Sequence, residues 1–189
     1  MTKLISLLAI PIFASLIPGC ATTPPESGSS NIRGIKEFTL EPVKVENIIV
    51  DDLKEEDFKS KKDANQIRAW EEDLGAIKSR FATSLTETAA HAGLTISDPA
   101  PGRHYTIRPV ITKIDTGYYR IPAWNAVTRV YMHISVLDPE GKTVDETDAK
   151  GSETFELYAA DSGGRLRDSA TEVGEKYGRY LERRTAPEP

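Results

Sequence analysis

Between Ile67 and Leu85 the side chains Ile67, Trp70, Leu74, Ile77, Phe81 and Leu85 recur at intervals of three and four residues. That spacing draws one apolar stripe along an α-helix, and Glu71, Glu72, Lys78, Arg80 and Glu87 fall mostly off it. A helix over residues 65 to 92 follows, and it must lay the stripe on another apolar surface. Gly93 is placed to end it in a left-handed conformation, with Leu94 folding back onto the last turn. The stripe reads as packing, not as a cofactor box.

The surface it needs is supplied by strand-like segments. Residues 35 to 50 alternate around Phe38 and Leu40 and continue through Val43, Val45, Ile48, Ile49 and Val50, with Pro42 demoting the middle to a strand end, an edge or a bulge. Tyr105 to Ile114 is a second strand, in which Pro109 calls for an edge position or a bulge. Ala126 to Leu137 is the clearest: Ala126, Thr128, Val130, Met132, Ile134 and Val136 share one face. Arg129, Tyr131, His133 and Ser135 take the other face. Asp138-Pro139-Glu140-Gly141 is a turn, so Thr143 to Phe155 returns as the second arm of an antiparallel hairpin. Asp51 to Asp63 is densely charged and reads as a solvated loop or frayed helix start.

A last helix is expected from about Gly164 to Glu182, capped by Asp161 or Ser162, with the stripe Leu166, Ala170, Val173, Tyr177 and Leu181. Ala170, Gly174 and Gly178 form a smooth ridge on it. Each glycine costs a helix about 1 kcal/mol against alanine, which close approach to a neighbour would offset. The expected fold class is α+β: a two-layer sandwich with a mainly antiparallel sheet of about four strands and two amphipathic helices on one face. It spans residues 32 to 184 as one domain, and a frayed tail covers 185 to 189.

Ahead of this domain stand a basic Lys3 and an apolar run from Leu4 to Ile17 that includes Pro11. The run is short of the ~20 residues of a spanning helix and suits a secretory signal over residues 1 to 19. It closes on Leu16-Ile17-Pro18-Gly19-Cys20, which resembles the lipobox of bacterial lipoproteins. The resemblance implies cleavage before Cys20, acylation of its sulfur, and a bacterial envelope location. Ala21, rather than Asp, after the cysteine resembles an outer-membrane sorting signal, which implies the periplasmic face of the outer membrane. Cys20 is the only cysteine, so the domain has no internal disulfide. Residues 20 to 31, lipidated Cys20 included, carry almost no large apolar side chain and read as a flexible tether.

The formal net charge is −5, and it becomes more negative when Lys3 leaves. An acidic domain is a poor match for nucleic acid or for anionic lipid surfaces. Membrane attachment is therefore expected through the acyl chains on Cys20. The chain has no G-x-S-x-G, P-loop or G-x-G-x-x-G motif. His91, His104 and His133 lie far apart without ligand-spaced partners, so neither a metal site nor a cofactor is expected. No catalytic residue is proposed from sequence, and the expectation is a protein that is not an enzyme.

One segment stands out: Tyr118, Tyr119, Arg120 and Trp124 in the connection between two strands. Tyr, Trp and Arg dominate binding hot spots, and the aromatics favour membrane interfaces. The loop either docks on a partner or the bilayer, or folds back to cap the core of the sheet. In element order the mature chain resembles small envelope lipoproteins of the domain of unknown function 4410 type. By the same measure it is similar to the lipopolysaccharide-assembly lipoprotein and to the amino-terminal domain of the Tol translocation protein. These likenesses imply a non-enzymatic interaction or assembly component of the envelope with a protein partner there. The alternative is a binding module for a lipid or small amphipathic ligand.

Overall fold

The computed structural model describes residues 31–99, 102, 104–117, 127–154 and 162–187. They form β1 (Glu37–Leu40), β2 (Lys44–Val50), β3 (Leu53–Lys54), α1 (Glu55–Ser60) and α2 (Ala64–His91). There follow β4 (Thr95–Ser97), β5 (Tyr105–Asp115), β6 (Val127–Leu137), β7 (Thr143–Thr154) and α3 (Ser162–Thr185).

The α2 stripe is confirmed. Trp70, Leu74, Ile77, Phe81 and Leu85 are buried, with Ser84 and Ala89, whereas Ile67 is only half-buried. Asp63 caps the helix by accepting the N–H groups of Asn65 and Gln66, and the Gln66 side chain accepts the Asp63 N–H in return. At the other end Gly93 has φ +71°, Gly93 N–H donates to the Ala90 carbonyl and Leu94 N–H to that of Ala89.

The class is α+β, but the sheet corrects the expectation of a mainly antiparallel, four-stranded one. Among the described residues it has seven strands and is mixed. β5 pairs in parallel with β1 and with β2 along one side, and in antiparallel with β6 along the other. β4 adds in parallel to β1, β3 in antiparallel to β2, and β7 in antiparallel to β6. The reason is topological: α2 intervenes between the first strands and β4 and β5, and a helical crossover returns the chain in the direction it left. Three helices, not two, are present among the described residues. The stretch 51 to 63 is not merely a loop: Asp51 and Asp52 turn at positive φ, and β3 and α1 follow, with Phe58 buried.

Pro109 lies in central β5, not on an edge. β1 faces Tyr105 to Ile107 and β2 resumes at Val110, so residues 41 to 43, with Pro42 among them, leave a gap beside Pro109. The Ile107 carbonyl accepts the Glu41 N–H, so by alternation the nitrogen of Pro109 faces the gap, where no donor is required. On β6 the described part of the dry face is as expected: Thr128, Val130, Ile134 and Val136 are fully buried and Met132 nearly so, while Ala126 lies outside the described residues. The β6–β7 turn is held by the Asp138 carboxylate, which accepts the N–H groups of Glu140 and Lys142.

α3 begins at Ser162 and runs through Thr185, which is buried and accepts the Gly34 N–H at its carbonyl, so any tail starts beyond Thr185. Leu166, Ala170, Val173, Tyr177 and Leu181 are all buried. The glycine ridge has the expected use. A Cβ on Gly174 would lie 2.7 Å from the Phe81 carbonyl oxygen, and one on Gly178 would lie 2.7 Å from the Thr88 side chain. The glycines let α3 press against the backbone of α2.

β7 is an edge strand whose outward backbone groups are partly covered. The Val144 carbonyl accepts from the Asn31 amide, the Lys150 carbonyl accepts from Lys176, and Ser152 N–H donates to Glu172. Such cover discourages pairing with another chain. On the core face of β7, the buried Asp145 carboxylate accepts the Tyr180 hydroxyl and the Arg184 guanidinium, the latter at 2.7 Å.

Next to this group, the fully enclosed Tyr177 hydroxyl has no hydrogen-bond partner among the described residues. An orphaned buried hydroxyl costs about 1–3 kcal/mol. Tyr177→Phe is therefore expected to raise unfolding stability by about 1 kcal/mol, read from urea melts; a loss of stability would show that the hydroxyl is satisfied. Burial, reinforced by the Asp145 carboxylate, also pushes the Tyr180 phenol up to about 12 and the Tyr177 phenol well above its ordinary value. The Tyr180 phenol thus favours the folded state fully below its ordinary value of 10, and that contribution disappears as pH rises from there through about 12, with Tyr177 adding in the same direction. Melting temperature should fall over this alkaline window, and Tyr180→Phe should flatten the fall. An equally steep profile in the variant would refute the assignment.

Candidate functional site

Charge and capping place two aromatic rings together. Glu55, Glu56 and Asp57 fill the first turn of α1, where carboxylates suit the helix dipole, and the helix then delivers Phe58 inward. Two turns into α2, Trp70 meets it with ring centroids 5.1 Å apart, tilted by 59°. The Trp70 indole N–H donates to Glu55 at 3.0 Å, and Lys59 pairs with the same carboxylate. Burial raises the Glu55 carboxyl, but the indole and ammonium donors outweigh it and leave the group below its ordinary value.

These rings form one wall of a 340 Å³ cavity that reaches across to the end of β5 and the first turns of α3. Leu166 closes it opposite, beside Arg165, which is only 3% exposed. The guanidinium is positioned by a relay. Arg165 Nε donates to Thr128 Oγ1 at 3.1 Å, Thr128 Oγ1 donates to the Thr116 carbonyl, and Thr116 donates through its N–H and hydroxyl to Asp51. Gly117, at φ +68°, is required here because Thr128 Oγ1 lies 2.8 Å from where its Cβ would stand. Lys62 holds its ammonium 4.4 Å from the Phe58 ring centroid at the mouth. The Asp73 carboxylate sits where a Cβ on Gly163 would fall, against the first turn of α3.

The sheet face away from α2 and α3 is polar and networked. Arg108 grips Glu41 through two bonds of 2.8 and 2.9 Å, and this hydrogen-bonded cation holds the Glu41 carboxyl below its ordinary value. Lys113 bridges Asp52 and Asp115. Ser135 Oγ lies 3.4 Å from His133 Nε2, and His133 Nδ1 lies 2.8 Å from Asp148. The order serine, histidine, aspartate is that of a nucleophilic relay. The backbone N–H groups of β6, however, lie in the plane of the sheet and are engaged in its ladders, so they do not point at a carbonyl held over Ser135. Among the described residues no group of three His, Cys, Asp or Glu is arranged to hold a metal ion.

Cys20 and the segment Tyr118, Tyr119, Arg120 and Trp124 lie outside the described residues. His91 stands in the last turn of α2 and is exposed. Sequence reasoning missed the cavity. Phe58, as the one aromatic in a charged stretch, was its visible sign, whereas the burial of Arg165 has no local signature.

No family model and no curated protein matches the sequence. Solved structures similar to the chain include the PelC dodecamer from Paraburkholderia phytofirmans, at 11% identity and TM-score 0.42, covering 79% of this chain and 91% of that one. A minor lipoprotein from Acinetobacter baumannii is similar at 10% identity and TM-score 0.41, covering 78% and 90%. A protein from Xanthomonas campestris is similar at 6% identity and TM-score 0.48, covering 82% and 88%. Among the described residues no helix is long and apolar enough to cross a membrane.

Proposed function

We propose that the chain is a lipoprotein of the bacterial envelope, held through acyl chains on Cys20 at the periplasmic face of the outer membrane, where it serves as a non-enzymatic interaction or assembly component. The observation that carries this reading is the ordered signal, Lys3, the apolar run and Leu16-Ile17-Pro18-Gly19-Cys20, ending on the only cysteine in the chain. The test is mass spectrometry of the protein from membranes, which should find residues 1 to 19 removed and the Cys20 sulfur acylated. Cys20→Ser should leave the protein unlipidated. An unmodified sulfur on a chain that keeps its first residues would end the reading.

In this reading Tyr118, Tyr119, Arg120 and Trp124 engage an envelope protein. Replacing Tyr118, Tyr119 and Trp124 with serine should abolish crosslinking to that partner and leave the melting temperature unchanged. A collapsed melting temperature would assign the aromatics to the core instead.

The cavity beside Phe58 and Trp70 favours a second reading, a module that binds a small amphipathic ligand. Its 340 Å³ falls at the lower end of the range for small-molecule sites.

A further inference from the structure

We propose that the open face of the β6–β7 hairpin carries a site for a zinc-class divalent ion, bound by His133 and Glu146 and completed by water. In sequence His133 has no partner at ligand spacing. Strand pairing supplies what spacing does not. Asp148 stands opposite His133 and Glu146 opposite Ser135, so the four side chains occupy one rectangle of the antiparallel ladder. On that face His133 and Ser135 are half-buried, and Glu146 and Asp148 are exposed. Val127, where β6 begins, is about 20 Å from His133 along the strand, so the hairpin end that leads to the aromatic connection is remote.

Asp148 selects the nitrogen that faces the ion. Its carboxylate lies 2.8 Å from Nδ1 of His133. An ionised carboxylate only accepts, so Nδ1 carries the ring hydrogen, and in the neutral imidazole Nε2 keeps its lone pair. Histidines that bind zinc through one nitrogen commonly give the other N–H to a carboxylate in this way. Nε2 is aimed between two oxygens, Glu146 Oε2 at 3.9 Å and Ser135 Oγ at 3.4 Å. Two ligands of one tetrahedral zinc stand ~3.4 Å apart. A small rotation of the exposed Glu146 side chain covers the difference, and Ser135 Oγ is placed to hold a water on the ion. Asp148 orients the ring and does not touch the ion, so the ion has two protein ligands and an open remainder. An imidazole with a carboxylate suits zinc and its first-row neighbours, whereas magnesium and calcium prefer oxygen alone.

The test uses the full chain, without a histidine tag, carrying Cys20→Ser, which removes the only thiol able to capture zinc. Zinc chloride is titrated while the imidazole nitrogen resonances of the three histidines are followed by NMR. The Nε2 signal of His133 should move, those of His91 and His104 should not, and magnesium should move none. Zinc should also raise the melting temperature, and His133→Gln should abolish both responses. Glu146→Gln and Asp148→Asn should each weaken zinc about tenfold or more. Glu87→Gln, an exposed change on α2, should leave it unaltered. The variants alter side chains on the surface, so without zinc each should melt near the parent. Equal movement of all three imidazoles would mean an adventitious ion only and would overturn the site. Binding through Nδ1, or full affinity in either Glu146→Gln or Asp148→Asn, would refute the geometry on which it depends. A His133 ring unmoved at about 1 mM zinc would also end the proposal.

Discussion

Gly151→Val is expected to cost about 3 kcal/mol or more of unfolding stability, the upper range for overfilling a packed core. Gly151 is buried on the core face of β7, in register with fully buried Val130. Even a Cβ there would collide with the Ser169 backbone carbonyl of α3 and stand 3.0 Å from Val173 Cγ2. Neither element can yield cheaply. β7 is laddered to β6 along its length, and α3 is already in close contact with α2 at Gly174 and Gly178. Urea melts of Gly151→Ala and Gly151→Val should show a graded loss, larger for valine. Gly75→Ala is the control. This exposed α2 glycine has nothing within 4 Å of a built Cβ, so the change should stabilise by about 0.5–1 kcal/mol through helix propensity alone. If Gly151→Ala behaved like Gly75→Ala, α3 would not lie where it is described.

Phe81→Ala should cost a further large amount, about 3–5 kcal/mol, the range for emptying a buried aromatic site. Phe81 is fully buried at the middle of α2, and its own backbone carbonyl is the atom nearest the missing Cβ of Gly174. The helices are already in backbone contact there, so they cannot close further to fill the void. Phe81→Leu should recover more than half of the loss. A loss below about 1 kcal/mol for alanine would mean that the crossing is loosely packed.

Both predictions rest on helices that are legible in the sequence, and the sheet is less so. A stripe at helical spacing announces its own element and its own buried face, as Trp70 to Leu85 and Leu166 to Leu181 did. Alternation likewise placed Val130, Met132, Ile134 and Val136 on one dry face. Alternation does not say which strand lies beside which. The parallel neighbours of β5 therefore escaped, and so did β4, whose three residues carry no period. The aromatic wall of the cavity was half visible, in Trp70 on the stripe and Phe58 alone among charges. Arg165 was invisible, because its burial depends on Thr128 and Thr116, tens of residues away in the chain and joined to it only in three dimensions.

Pro109 of β5, set opposite the gap that holds Pro42 between β1 and β2, bears on how the sheet reaches one alignment. Sliding β5 by two residues against β1 and β2 would keep every side chain on its proper face, so hydrophobic patterning alone does not forbid it. It would, however, carry Pro109 out of the interruption and set a ring without a proton against a carbonyl that needs one. The interruption works as a keyway: the misaligned sheet leaves a backbone acceptor stranded, and the native one does not.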